Sequence, residues 1–299
     1  MSANSPSASP VSDDRLDRIA ALSNTLAYDS DEARSYVEGA PHIKHASLRR
    51  LFSKLLLAVY DSAAKNATPP KALDLGAGEG SVTLQFLEVG AHVTAVDISH
   101  QQLDTLVEKC AAHRERLVTR CQDVSDALQD SSEQFDIITL NSFLHHVPDY
   151  LSLIDKCLSK LKPDGILFTF QDQLRYDTVS WFTRAFTDVG YFFWRVARSS
   201  QGDVLGGIGR RLRRRRGIYR EDCYQDNTEY HVVRNGVDQI AIEQLLKERG
   251  FDCRFVTYYS SHNSLFQSVG AALGFKNLFS LIATRGTLPA GLSPANVPN

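Results

Sequence analysis

Through the middle of the chain, short apolar runs alternate with stretches whose apolar residues recur at helical spacing. The apolar runs are Lys71–Leu75, His92–Val96, Leu117–Cys121, Phe135–Leu140 and the end of LKPDGILFTF. Near-continuous apolar composition over so few residues is what a strand covered on both faces requires. The stretch Ser81–Val89 reads as an amphipathic helix, as does the one that Asp149 caps and that runs to Leu161. Pro163-Asp164-Gly165 then turns the chain into the fifth strand. Two further helical patterns, Asp14–Leu26 and Ser47–Ala64, precede the first strand, and Val237–Arg249, closed by Gly250, follows a long break in the alternation. Apolar runs at Phe251–Tyr259 and Leu278–Thr284 are the last two strand candidates. Strand and helix in alternation predict an α/β fold built on a parallel sheet.

Most of the chemistry lies in the turn that follows the first strand. It reads LDLGAGEG from Leu73 to Gly80, with glycine at 76, 78 and 80. Glycine there lets a ligand approach the backbone where a Cβ would obstruct it. Asp97 stands at the carboxyl end of the second strand, where a carboxylate accepts hydrogen bonds from both hydroxyls of a ribose. Turn and carboxylate together point to a nucleoside-bearing cofactor. Dinucleotide sites use G-x-G-x-x-G, with a pyrophosphate on the helix N-terminus. Here Gly76-Ala77-Gly78-Glu79-Gly80 sets a carboxylate at that helix start, where it would repel a phosphate. The turn therefore favours an uncharged or cationic group.

The string from Asp74 to Gly80 resembles motif I, roughly D/E-x-G-x-G-x-G, of the class I S-adenosylmethionine-dependent methyltransferases, in particular their small-molecule, type 11 or UbiE-like group. Further matches follow in the family's order from Lys71 to Phe170. The resemblance implies a Rossmann-like, doubly wound sheet of seven strands, mostly parallel, with an antiparallel last strand. It implies S-adenosylmethionine as cofactor, held by Asp74, Gly76, Ala77 and Gly78 at the turn. Asp97, Ile98 and Gln102 match positions that hold the ribose and sandwich the adenine. Asp123 matches the residue that accepts from the adenine amino group, Val124 its apolar neighbour, and Asn141 falls near the cofactor. In such proteins N-terminal helices fold over the methionine end, for which Tyr28, Tyr36, His42 and His45 are candidates, and the connection after the fifth strand covers the acceptor.

Composition changes this picture little. With 43% hydrophobic and 23% charged residues and a net charge of -2, the chain reads as an ordinary soluble protein with no general reason to bind nucleic acid. Asn141-Ser142-Phe143-Leu144 also stands where enzymes that methylate nucleic-acid amino groups carry D/N-P-P-Y/F. Five cysteines without C-x-x-C spacing read as reduced thiols of a cytoplasmic protein. One domain is expected over residues 13–286, with an N-terminal helical cap at 13–66 and a substrate lid insertion at 172–235. A disordered leader, 1–12, and a flexible tail, 287–299, are expected to flank it.

Methylating a hydroxyl needs a base, and a neutral histidine serves near pH 7. His145 and His146 lie just beyond the fourth strand, at the carboxyl edge where open α/β sheets bind ligands. By its match to the family, His146 is the leading base candidate and His145 the second; a pocket-shaping role for both is the alternative. No metal is expected, since adjacent loop histidines rarely share an ion and Asn141 stands where an acidic ligand would be wanted. Both tryptophans fall in WFTRAFTDVGYFFWRVARSS, which suits either a roof over an aromatic, polyketide-like or lipid-like acceptor or helices packed on the sheet edge. Arg210, Arg211 and Arg213 to Arg216 suit an anionic partner or membrane surface, a solvated charge run being the alternative. The expectation is an S-adenosylmethionine-dependent methyltransferase of a small molecule, O-methylation ahead of N- or C-methylation. A NAD-dependent oxidoreductase and a non-catalytic cofactor-binding partner protein are the rivals from other classes.

Overall fold

In a computed structural model of the chain, the residues described are 16, 19–23, 41–130, 132–198, 219 and 230–290. Seven strands form one sheet in the order β3-β2-β1-β4-β5-β7-β6. They are β1 Lys71–Leu75, β2 His92–Asp97, β3 Leu117–Cys121, β4 Phe135–Asn141, β5 Leu161–Gln173, β6 Asp252–Tyr258 and β7 Leu278–Thr284. Strands β1 to β5 pair in parallel, and β7 runs antiparallel to both β5 and β6. This is the expected Rossmann-like sheet with its antiparallel last strand. The helices that position the site are α1 Ala46–Ala63, α2 Ser81–Glu88, α3 His100–Lys109, α4 Val124–Asp130, α5 Tyr150–Lys160, α6 Trp181–Arg198, α7 Gln239–Glu248 and α8 Ser264–Ala272.

The central strands β1, β2, β4 and β7 are buried along most of their length because the sheet separates two cores. On one face Phe52, Leu55 and Leu56 of α1 meet Ile137, Phe168 and Phe170. On the other, Leu153 and Ile154 of α5 and Leu246 of α7 meet Ile138, Leu167 and Phe279. Neighbours such as Ile137 and Ile138 go to opposite layers, as the pleat demands. Strand order reverses between β1 and β4, and the crevice at the carboxyl ends beside such a switch is where ligands of open α/β sheets bind. That geometry brings the glycine turn after β1, Asp97 after β2 and the histidine pair after β4 to one edge.

Two segments differ from the sequence expectation, and a third adds a helix to it. Leu161 already pairs with Phe135, and the register then jumps to Ile166 opposite Ile137, so Pro163-Asp164-Gly165 bulges out of β5 instead of preceding it. At the far end Asp172 and Gln173 extend β5 by pairing with Phe279 and Leu278, so the boundary expected at residue 172 falls inside a strand. The polar run Gln171-Asp172-Gln173 conceals this, because β7 supplies the pairing partner from more than a hundred residues away. Between β6 and β7 the chain forms α8, capped by the Asn263 side chain, which accepts from the amides of Leu265 and Phe266. Residues 1–15 and 291–299, Tyr28, Tyr36, Cys223 and the Arg210–Arg216 cluster lie outside the described residues, as does the side chain of His42.

Candidate active site at the carboxyl edge of the sheet

The turn from β1 into α2 is pinned to β2 by the amides of Gly76 and Ala77, which both donate to the Val96 carbonyl. Gly76 has φ 70°, and a Cβ there would lie 2.1 Å from the Phe143 ring, so the loop after β4 can pack directly on this turn. Gly78 also has positive φ, 53°, but nothing lies within 4 Å of where its Cβ would be. The space above residue 78 is a cradle that any side chain would fill. Asp97 closes the other side, with Oδ2 accepting from the Gly78 amide at 2.8 Å and Oδ1 from the Ser99 amide at 2.9 Å. Each carboxylate oxygen carries two lone-pair directions, the capacity that a ribose diol uses.

The neighbouring expected residues take clear places. Asp74 is buried, and its Oδ2 accepts from Thr83 Oγ1 at 2.6 Å, bracing β1 against α2 from inside the fold. Burial pushes the Asp74 carboxyl up to about 7; the Thr83 hydrogen bond opposes this and the charge of Asp97 adds to it. Ser99 caps α3 by accepting from the amide of Gln102, which is buried, while Ile98 is half-buried. Asp123 caps α4 through the Ser125 amide at 2.7 Å, beside buried Val124. Glu79 pairs with Lys109 at the end of α3 and accepts from Ser81 Oγ. An ammonium thus compensates the carboxylate that argued against a pyrophosphate, and that argument loses its force.

The end of β4 holds the second group. Asn141 Nδ2 donates to Thr139 Oγ1 at 2.6 Å, which leaves Asn141 Oδ1 buried and without a donor. Ser142 takes φ 54° and donates its amide to the Phe170 carbonyl, turning the chain into the short 3-10 turn Leu144–His146. His145 and His146 are both buried, with ring centroids 4.2 Å apart. They differ in partner. His145 Nδ1 lies 2.9 Å from Asp172 Oδ1, and the same oxygen accepts the His145 amide at 3.2 Å. Asp172 is fully buried and its Oδ2 has no donor. Burial pushes its carboxyl up to about 7, against the pull of the His145 amide and of positive charge on His146. A register irregularity between Phe170 and Asp172, with Gln171 at φ 73°, forms a bulge that re-aims the end of β5 toward the histidine loop.

Two further segments frame this edge. The His231 amide donates to the His145 carbonyl, and His231 Nε2 lies 3.0 Å from the Val147 carbonyl. Ahead of α1, buried His45 reaches the Ser261 carbonyl through Nε2 at 2.7 Å, and burial pushes its pKa down. The residue just ahead of α1 is thereby tied to the loop after β6. Asp172 and Gln171 were missed from sequence; the available signal was a polar triplet ending an otherwise apolar strand. Among the described residues no cluster of three or more His, Cys, Asp and Glu could hold a metal ion. The cradle over Gly78, the Asp97 carboxylate and the orphaned Asn141 oxygen fit a nucleoside-bearing cofactor that donates hydrogen bonds.

Residues 43–254, more than half of the chain, match a family described as a methyltransferase domain. A ubiquinone biosynthesis O-methyltransferase of Actinobacillus pleuropneumoniae serotype 7 is 34% identical over 122 residues, which is 40% of this chain and 52% of that protein. One of the same name from Xanthomonas campestris pv. campestris is 35% identical over 107 residues, 36% of this chain and 45% of that protein. The chain spans about half the length of the curated relatives it matches. Among solved structures, the plantazolicin methyltransferase BamL in complex with a triazolic desmethylPZN analog and SAH superposes with a TM-score of 0.55 at 13% identity, covering 91% of this chain and 97% of that one. Magnesium protoporphyrin IX methyltransferase from Synechocystis PCC 6803 with bound SAH gives 0.52 at 15% identity, covering 89% and 100%. At such identities the likeness is one of fold.

Proposed function

The chain belongs to the methyltransferase-domain family, and on that footing we propose that it transfers a methyl group from S-adenosylmethionine to a small-molecule acceptor, at oxygen ahead of nitrogen or carbon. The cofactor supplies a methyl group that its sulfonium already makes electrophilic. The protein's part is to hold, align and deprotonate. Asp97 receives the ribose hydroxyls, Gly78 leaves room for the cofactor against the backbone, and Asn141 Oδ1 accepts a donor from it. Ile98 and Gln102 flank the adenine, with Asp123 at its amino group and Val124 against the ring. Asp74, Gly76 and Ala77 set the shape of the turn. Alignment of this kind accounts for up to about 7 to 11 kcal/mol of a barrier in favourable cases.

The observation that carries the choice of oxygen is the buried His145–Asp172 pair. Held through Nδ1 by a carboxylate, the His145 ring takes the tautomer whose basic nitrogen is Nε2, the form a general base needs. His146, first by resemblance, packs against that ring at a tilt of 43° and takes the supporting role. Relatives named O-methyltransferases support the same choice. The rings of α6 that do not face outward, Phe186, Tyr191 and Trp194, support an acceptor with an aromatic, polyketide-like or lipid-like body.

The test is incubation with methyl-labelled S-adenosylmethionine and a panel of phenols and aliphatic alcohols, with products located by mass spectrometry. Label on a hydroxyl oxygen is expected. Label on nitrogen or carbon alone would overturn the choice of oxygen, and calorimetric binding of NAD without binding of S-adenosylhomocysteine would overturn the whole assignment.

A further inference from the structure

Helix α6 packs on α8 through Phe186 and Phe193, whose ring centroids lie 4.7 and 6.1 Å from that of Phe266. The approach is close because residue 190 is glycine; a Cβ there would sit 2.8 Å from the Phe266 ring. What the pair turns outward is dominated by large apolar side chains, with Arg184, Asp188 and Ser268 exposed among them. Trp181, Phe182, Phe192 and Phe193 of α6 are 67%, 61%, 48% and 54% exposed, and Leu265 of α8 and Leu273 at its C-terminal cap are 69% and 60% exposed. From Asn263 to Phe275 the chain carries no charged residue at all. A helix on the surface of a soluble protein ordinarily sets charged and polar residues on its outer face. Two adjacent helices that both present large apolar side chains form the kind of patch that marks an interaction surface.

Charge selects among the occupants of that patch. The whole chain is at -2, yet from Arg195 to Arg220 the sequence holds nine arginines against one acid, Asp203. This stretch begins within α6 and continues directly beyond it, and exposed Lys276 follows α8. A protein partner would need matching apolar and acidic surfaces of its own; an anionic leaflet supplies both in one layer. Among the described residues no helix is long and apolar enough to cross a membrane, so the contact would lie in the interface. We propose that the outward faces of α6 and α8 dock this protein on the surface of an anionic phospholipid bilayer, with their aromatic and leucine side chains entering the headgroup boundary. The proposal is independent of the acceptor's identity, since its test reads binding without turnover.

The experiment is co-sedimentation of the full chain with vesicles of phosphatidylcholine alone and of equimolar phosphatidylcholine and phosphatidylglycerol. Strong binding to the mixed vesicles and weak binding to the neutral ones is expected. The double variant Leu265→Gln/Leu273→Gln should lose about tenfold or more of that binding, as removal of buried aliphatic side chains predicts. Both leucines are exposed, so its melting temperature should match the parent, and a variant that melts early is replaced by Trp181→Ser/Phe182→Ser. In the parent, lipids brominated on their acyl chains should quench tryptophan fluorescence, and Trp181→Phe should abolish most of the quenching. No binding to the mixed vesicles, unchanged binding by both double variants, or quenching that survives Trp181→Phe would each overturn the proposal. So would a parent that is dimeric and ignores vesicles while the variant is monomeric, since the face would then belong to a second copy of the chain.

Discussion

His145 is held by the Asp172 carboxylate through its own backbone amide and its ring Nδ1, whereas Asp97 is held by the backbone amides of Gly78 and Ser99. Their consequences differ. His145→Ala should lower turnover by roughly 10² while leaving S-adenosylhomocysteine affinity nearly unchanged, read by initial rates and calorimetry. His146→Ala should cost clearly less; an equal or greater loss would return the base role to His146. Asp172→Asn keeps the volume but not the charge that holds Nδ1, so turnover should fall and the pH–rate profile should move, with KM little affected. Asp97→Ala should weaken cofactor binding by about tenfold or more, because a charge-assisted acceptor is lost. The glycines and Asp97 were legible in the sequence because a backbone constraint and a cofactor contact fall within one strand–helix–strand unit. Asp172 was not, since its partner lies 27 residues away and the bulge that aims it leaves no trace in residue type.

Among the elements, the central strands could be read because burial on both faces keeps most of their residues apolar. Helix α8 was hidden by its own packing. Gly270 lowers its helical propensity, yet a Cβ there would lie 2.2 Å from the Tyr259 ring, so the residue that obscures the helix is the one that lets it dock. Helix α7 shows how such elements are fixed at their ends. Asp238 accepts from the amides of Ile240 and Ala241 at 3.0 and 3.1 Å and from Arg175 Nη1 at 2.6 Å, joining the helix start to the segment that follows β5. Asp238→Ala should therefore destabilise the fold by about 1–2 kcal/mol in urea titration. A change below a few tenths would mean that solvent replaces the cap.

For the whole molecule, the buried carboxyls of Asp74 and Asp172 make stability depend on pH in an unusual direction. Asp74 and Asp172 each rise from 3.8 to about 7 on folding. Between those values the folded state keeps protons that the unfolded state has released, so stability falls as pH rises. The contribution is complete below about pH 4 and is lost as pH rises through about 7. Buried His45 and His231, whose pKa values are lowered from 6.5 chiefly by burial, act in the opposite sense below that pH. The readout is thus the difference between parent and Asp172→Asn in calorimetric melts from pH 5 to 8. The variant should lose less stability over that range, and parallel curves would contradict a raised Asp172. The strand order carries one more consequence, which concerns synthesis on the ribosome. Each of β2 to β5 emerges beside a strand already made, but β6 pairs only with β7, which follows it. Until β7 appears, the nascent chain carries a five-stranded sheet with the edge of β5 open and β6 unpaired. That interval, before the sheet can close, is when the chain is most exposed to pairing with a neighbour on the same polysome.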